Sequence, residues 1–206
     1  MTVAFDSDVN LTVEIAFGYA PLVTPVWTDV SAYARSFAIS RGRSHELDTM
    51  PASTMSMTLS NADGRFDPSY TSGAYNPNVL PMVPVRVRAV YNSVTYNLFR
   101  GFVEAWPQLW PALKDATVEL RAVDASKLLS RAHIINWTTP GLTYPVHIHK
   151  RYANAGSTIA SLLTDVGWPL AWRDLAAGDI NSTNLEITTS ETMLDLARNI
   201  SAAENG

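Results

Sequence analysis

Residues 41–68 read RGRSHELDTMPASTMSMTLSNADGRFDP. In the middle of this stretch Met55, Met57 and Leu59 point one way, while Thr54, Ser56, Thr58 and Ser60 point the other. That period-2 alternation predicts a strand with one buried and one wet face. It runs into Asn61-Ala62-Asp63-Gly64, whose side chains favour turns and left-handed backbone. Phe66 is placed to pin that turn to a core, and Pro68 cannot continue a strand. Upstream, Arg41, Arg43, His45, Glu46 and Asp48 put both signs of charge side by side. The stretch predicts a rigid, charge-decorated corner on a strand, not a catalytic loop.

Working outward, the same alternation recurs on both sides. Leu11, Val13, Ile15 and Phe17 alternate with Thr12, Glu14 and Ala16, a first strand ended by Gly18. A proline-containing loop (Pro21, Pro25) leads to an extended piece at 26–30 and another at 33–40 that enters the corner. Residues 67–84 are punctuated by Pro68, Pro77, Pro81 and Pro84, and a loop of that length in a compact domain more often binds something than idles. Val85, Val87 and Ala89 alternate with Arg86 and Arg88, a strand with one cationic face. Asn92-Ser93 reads as a tight hairpin turn into a strand over 94–104. Trp106, Pro107, Trp110 and Pro111 form an aromatic-proline loop, and Val118, Leu120 and Ala122 mark another strand. Asp124 is placed to cap a short helix carrying Lys127, Leu128 and Leu129.

From about residue 136 the pattern changes. Ser157 is the expected cap of a helix presenting Ile159, Leu162, Leu163 and Val166, stopped by Gly167 and Pro169. Residues 185–187 predict a short strand, and Thr188 with Glu191 a capping box for a helix through Met193, Leu194, Ala197 and Ile200. The expected fold is mainly β with a smaller α/β part: a β-rich, barrel-like domain over 1–135 and a small helix-strand-helix domain over 136–206. Asn205-Gly206 is a turn signal that usually leads into another strand, so the second domain is expected to be incomplete at its C-terminus.

Composition narrows the function. A net charge of -4 and a pI near 5.5 argue against a nucleic-acid binder, which needs a basic face. The absence of cysteine removes disulfides, thiolate nucleophiles and thiolate metal sites, and fits synthesis in a reducing cytoplasm. The opening MTVAFDSDVN has neither a basic n-region nor an apolar h-region, and nowhere is there an apolar run near the ~18 residues of a membrane span. No membrane partner and no specific nucleic-acid recognition are expected.

Several chemical constellations resolve toward structural readings. His147 and His149 share a strand face but no third ligand is placed, so neither a metal nor any other cofactor is expected. Asp63-Gly64-Arg65-Phe66-Asp67 resembles a fragment of a calcium loop without its further acids, and is read as a turn. Ser44-His45-Glu46 is adjacent in sequence, which is not how a catalytic triad is built. Asp174 with Asp179, or Asp63 with Asp67, are read as solvated loop acids and not as a glycosidase pair. Trp106 and Trp110 suit a sugar platform, but with prolines beside them packing or a subunit contact is the favoured reading.

The chain resembles a family of minor tail proteins from long-tailed, siphovirus-type phages of actinobacteria. The resemblance is carried by Trp27-Thr28-Asp29-Val30-Ser31, Tyr33-Ala34-Arg35, Arg41-Gly42-Arg43 and Glu46-Leu47-Asp48. It continues through the Leu59 to Pro68 run, Pro81-Met82-Val83-Pro84-Val85-Arg86, Leu98-Phe99-Arg100-Gly101-Phe102-Val103 and Ala122-Val123-Asp124-Ala125-Ser126-Lys127-Leu128-Leu129. Val166-Gly167-Trp168-Pro169 and Ala203-Glu204-Asn205-Gly206 extend it more loosely. It implies a structural, non-enzymatic virion protein: a baseplate hub whose β-barrel-like domains ring the distal end of the tail tube, a homotrimer beneath a hexameric distal-tail ring. Tail-tube, distal-tail and other tail-tip proteins are the implied partners, with assembly in the host cytoplasm. The alternatives are the hexameric ring protein itself and a wall-degrading or carbohydrate-binding tail-tip module. The residues expected at subunit interfaces are Arg41, Arg43, His45, Glu46, Asp48, Arg65, Asp67, Tyr75, Arg86, Arg88, Trp106 and Trp110.

Charge reversal of Arg41 together with Arg43 is expected to reduce tail assembly in a complementation assay while the isolated chain keeps its circular dichroism spectrum. Normal tails from that double variant would remove the corner from the interface.

Overall fold

The computed structural model describes residues 9–42, 51–110, 115–133, 148–150, 154–178, 185–187 and 191–204. The chain separates into two compact units, Met1–Ala125 and Ser126–Gly206. The first is mainly antiparallel β. Its strands are β1 (Asn10–Ile15), β2 (Thr28–Asp29), β3 (Ala34–Ser40), β4 (Thr54–Ser60), β5 (Pro84–Tyr91), β6 (Val94–Ala105), β7 (Gln108–Leu109) and β8 (Thr117–Val123). They form one sheet in the order β2-β1-β5-β6-β8-β4-β3, with β7 added on β8.

The alternation that predicted these strands also places the core. Met55, Met57 and Leu59 of β4, Val118, Leu120 and Ala122 of β8, and Val85 and Val87 of β5 all lie below 3% exposure, while their alternate neighbours stay wetter. β4 pairs with β8 in unbroken register from Thr54↔Val123 to Ser60↔Thr117, so the two apolar rows fall on one face. β6 serves two partners. It pairs with β5 along most of its length and with β8 from Phe102 to Ala105, bending through register shifts at Val87/Arg88 and Val103/Ala105. Asn92 and Ser93 both take positive φ (49° and 63°), the backbone a two-residue turn between right-twisted strands requires.

The barrel expectation needs correction. The ladder is not closed: among the described residues β3 pairs with β4 alone and β2 with β1 alone. β3 is largely exposed on both faces, and β2 is too short to offer it a ladder. The two ends of the sheet are nevertheless consecutive in sequence, joined by a single 3-10 turn over Ser31–Tyr33. Ser31 holds that turn to β1 through its hydroxyl, which accepts the Val13 N–H at 2.8 Å.

In the second unit, α1 (Ser126–Leu129), β9 (Ile148–Lys150), α2 (Ala155–Asp165), β10 (Leu185–Ile187) and α3 (Met193–Glu204) follow in order. β9 and β10 pair antiparallel. α2 and α3 pack together and carry the buried side chains Leu162, Leu163, Met193, Leu196 and Ile200. Two helix starts differ from expectation. The cap of α2 is Asn154, which accepts the Ser157 N–H at 2.8 Å while Ser157 reaches back to the Asn154 N–H. Ser157 is thus the N3 partner of the box, because a Ser can take either side of that exchange. At α3 the Thr192 hydroxyl donates to Asp195 at 2.6 Å and accepts its N–H at 3.2 Å, so Thr192 takes the capping role expected of Thr188, which lies outside the described residues, and Asp195 takes the place expected of Glu191.

Two glycines mark close backbone approaches. A Cβ at Gly101 would lie 2.1 Å from the Val123 carbonyl oxygen where β6 meets β8, and one at Gly156 would lie 2.0 Å from that of Ala176. Backbone obstacles cannot rotate away. Gly101→Ala is therefore expected to destabilise the first unit by about 3 kcal/mol or more, the upper end of overpacking costs, read from urea unfolding. An unchanged midpoint would show that β6 and β8 separate freely at this crossing.

Candidate functional site

Three groups of side chains in the first unit bring together residues singled out by sequence. The first is built on the turn after β4. Asn61 is 1% exposed, and its side chain accepts the Phe66 N–H at 2.9 Å and donates to Gln108 at 2.8 Å. Gln108 in turn donates to the carbonyls of Phe66 and Trp106. The turn thereby delivers Phe66, fully buried, into a group of rings: Tyr75 at 5.4 Å, Tyr33 at 5.8 Å, Trp106 at 6.2 Å and Phe17 at 6.3 Å between centroids. Phe17 and Tyr75 stack at 4.1 Å and 9°. Burial pushes the Tyr75 hydroxyl above its ordinary pKa. Trp106 is buried and donates its indole N–H to the Leu80 carbonyl at 3.0 Å. The 67–84 loop is thus tied to the core, with Val79 and Val83 each 2% exposed.

Arg65, from the same turn, grips Asp63 with Nε and Nη2 and lies 3.9 Å above the Tyr33 ring. Its hydrogen bonds hold the Asp63 carboxyl below the usual carboxylate range and raise its own pKa. This pairing turns Asp63 away from a calcium or acid-base role.

The second group lies on the outward side of β1, β5 and β6. Register places Glu14 opposite Arg86, and Arg86 opposite Arg100. Arg86 donates to both Glu14 oxygens, at 2.7 and 2.9 Å, and Arg88 adds a third bond at 2.7 Å. The Trp27 ring covers Arg86 at 4.2 Å and stands 5.9 Å from Arg100. Glu14 is only 8% exposed, yet the Arg86 hydrogen bond outweighs its desolvation and depresses its pKa. Burial, with Arg86 nearby, lowers the pKa of Arg100. The cationic face read from β5 is therefore largely engaged inside the chain. Glu14, Trp27 and Arg100 were not among the residues expected at interfaces from the sequence. The signal available was that Glu14, alternating with Val13 and Ile15, must share the face of whatever strand pairs with β1.

The third group is exposed. Asp63, Gly64, Asp67, Tyr70 and Trp110 line an open groove of about 310 Å³. Trp110 is 65% exposed, so the two tryptophans expected to act together have opposite fates. Among the remaining expected residues, Arg41 donates to the Leu98 carbonyl at 3.2 Å, while Arg43, His45, Glu46 and Asp48 lie outside the described residues. Ser44, His147 and Asp179 lie outside them too, and no group of three His, Asp or Glu among the described residues is placed to hold a metal.

No protein-family model matches the chain, and neither does any curated protein. Among solved structures it is similar to the tail protein from Neisseria meningitidis MC58, with 11% identity over 94% of this chain and 45% of that one and a TM-score of 0.47. It is also similar to the 43 kDa tail protein of prophage MuSo2 from Shewanella oneidensis, with 11% identity, 95% and 51% coverage and a TM-score of 0.48. The chain spans about half the length of each.

Glu14→Gln keeps the shape and removes the charge that joins two arginines. It is expected to cost about 2 kcal/mol, less than the 3–5 of a fully buried pair because the arginine side chains keep 23% and 30% exposure. The lowered pKa values of Glu14 and Asp63 make their pairs stabilising above the ordinary carboxylate values of 4.5 and 3.8, with that stability lost as pH falls through the depressed folded values. Thermal unfolding from pH 6 to pH 2 is expected to show a flatter acid limb in Glu14→Gln than in the parent. Parallel curves would mean that Glu14 is not linked to folding.

Proposed function

We propose that the chain is a structural protein of a bacteriophage tail tip, a baseplate-hub subunit that assembles as a trimer at the distal end of the tail tube and performs no catalysis. The observation that carries this reading is the outer edge of β3, with which no described strand pairs. Natural sheets blunt their edges with short strands, charge, proline or bulges, because an unpaired row of N–H and C=O groups recruits other chains. β3 is seven residues long, contains neither proline nor glycine, and exposes Phe37 to 36%. It does carry a bulge near Ala34/Ser36, at its N-terminal end only. Its one charge, Arg35, is held by Asp115 at 2.6 Å and by the Ser60 hydroxyl of its own sheet. An edge left this open suits a protein whose sheet is extended by the neighbouring subunit of a ring.

The motif resemblance from Trp27 to Gly206 supports the same reading and supplies its tail-tip location and its partners, the tail tube and distal-tail proteins. In this reading Arg41 and the exposed β5–β6 hairpin face neighbours, whereas Arg65, Tyr75, Arg86, Arg88 and Trp106 act indirectly by stiffening the frame behind them. The non-catalytic part of the proposal is supported by the way Asp63 is consumed by Arg65 and Glu14 by two arginines.

Native mass spectrometry over a concentration series is expected to give trimers, and Phe37→Glu to shift them toward monomers without changing the circular dichroism spectrum. Hexamers would move the assignment to the distal-tail ring. Trimers indifferent to Phe37→Glu would take β3 out of the contact, and a monomer at every concentration would overturn self-assembly through this edge.

A further inference from the structure

We propose that the groove beside the Asp63–Asp67 turn is a binding subsite for a neutral saccharide. This goes beyond the structural role above and stands on a different part of the sheet. The groove's volume of about 310 Å³ lies at the lower end of the range for small-molecule sites and suits one or two sugar rings. Its walls carry two aromatic rings that folding leaves uncovered, Trp110 at 65% and Tyr70 at 46% exposure. Trp110 is the most exposed aromatic side chain among the described residues. Such rings ordinarily dominate cores and interfaces, so an indole presented to water in a groove has a stacking surface to offer.

The Tyr70 side of the groove is preformed. Gly64 takes φ +72°, and a Cβ there would come within 2.7 Å of the Tyr70 ring, so the ring lies directly on the glycine backbone. A Cβ at Gly73 would meet the Tyr70 carbonyl at 3.0 Å, fixing the same residue from the other side. The turn beneath is held by the Asn61 amide and the buried Phe66. Ring positions set by backbone contact need little ordering when a ligand arrives.

The polar groups select the ligand class. Asp67 uses Oδ1 to accept the Ser69 N–H at 2.8 Å, and its Oδ2 accepts no bond from the described residues. Trp110 and Tyr70 both line the groove, and the indole N–H and the hydroxyl have no hydrogen-bond partner among the described residues. The site thus offers a carboxylate acceptor, an N–H donor and a hydroxyl alongside two ring faces. A cation satisfies the carboxylate and leaves the indole N–H unmatched, while an anion meets Asp67 with like charge. A pyranose supplies C–H faces for the rings and hydroxyl groups that both donate and accept. Asp63, already neutralised by Arg65, adds little net charge, which favours an uncharged sugar.

The test uses the 206-residue chain, ¹⁵N-labelled, with the Trp110 indole resonance assigned as the one that Trp110→Ala removes from the six. Chitotetraose and maltotetraose are titrated as uncharged probes, with arginine amide as a cationic comparator. At least one oligosaccharide is expected to shift the Trp110 resonance saturably, leaving the buried Trp106 resonance in place. Asp67→Asn is expected to weaken that binding about tenfold, the scale of one hydrogen bond to a charged group, and Trp110→Ala to abolish it in calorimetry. Trp110 is exposed, so its variant keeps the fold, checked by the remaining indole resonances. No shift with either oligosaccharide overturns the proposal. A shift with arginine amide alone also overturns it and makes the groove a socket for a basic side chain of a neighbouring protein. Neither result bears on whether the chain forms trimers, so the two readings fail separately.

Discussion

The buried amide of Asn61 is the constraint on which the first unit depends. A strand that alternates as cleanly as β4 must end somewhere, and it ends by carrying a polar side chain to 1% exposure. An unsatisfied amide there would cost about 1–3 kcal/mol. Satisfying it ties the residue's own turn, through Phe66, to the distant 106–108 segment, through Gln108, while the Asn61 backbone N–H bonds to Ala116 just before β8. Once these bonds are made, Phe66 has one place to go, and the rings of Phe17, Tyr33, Tyr75 and Trp106 assemble around it. The proline-rich loop that follows is then a fixed wall, and the groove beside it has a floor.

Two arginine–carboxylate pairs in the first unit are also stacked on aromatic rings. Two assemblies repeat one plan, an arginine over an aromatic ring with a carboxylate in its grip: Arg65 with Tyr33 and Asp63, and Arg86 with Trp27 and Glu14. Each satisfies the guanidinium's planar fork and its stacking face together, which lysine could not do. The consequence for recognition is indirect. Arg65, Arg86 and Arg88 hold strands and turns in place through carboxylates of their own chain. Among the described residues the exposed surface includes three uncharged features: the β3 edge, the Tyr91-Val94-Tyr96 hairpin and Trp110.

The second unit is held by a different device. α2 is closed at its start by the Asn154–Ser157 exchange and at its end by Gly167 at φ +73°, followed by Arg173, whose guanidinium reaches the carbonyls of Ala160 and Trp168. Gly156 lets the 176–177 backbone run directly against the first turn, where its N–H bonds to Ala177. Helix ends are where backbone groups are left orphaned, and here both ends are answered by side chains or by an adjacent segment.

Alternation along the chain determined which residues face inward on β4, β5 and β8, and side-chain chemistry determined the turns at Asn61–Gly64 and Asn92–Ser93. Both are local properties: period-2 geometry acts over neighbouring residues, and a left-handed turn depends on the residue that adopts it. What only the tertiary structure decided is nonlocal. Glu14 meets Arg86 because β1 pairs with β5 in one register. β3 stays at an edge because no described strand lies beyond it. Trp106 is buried and Trp110 exposed although they stand four residues apart on the same loop. Even the cap of α2 moved from Ser157 to Asn154, since both residue types take either role and their reciprocal geometry chooses between them. Periodicity tells each side chain which way to point, but partners are assigned by strand order and register, which are set by contacts between residues far apart in the chain.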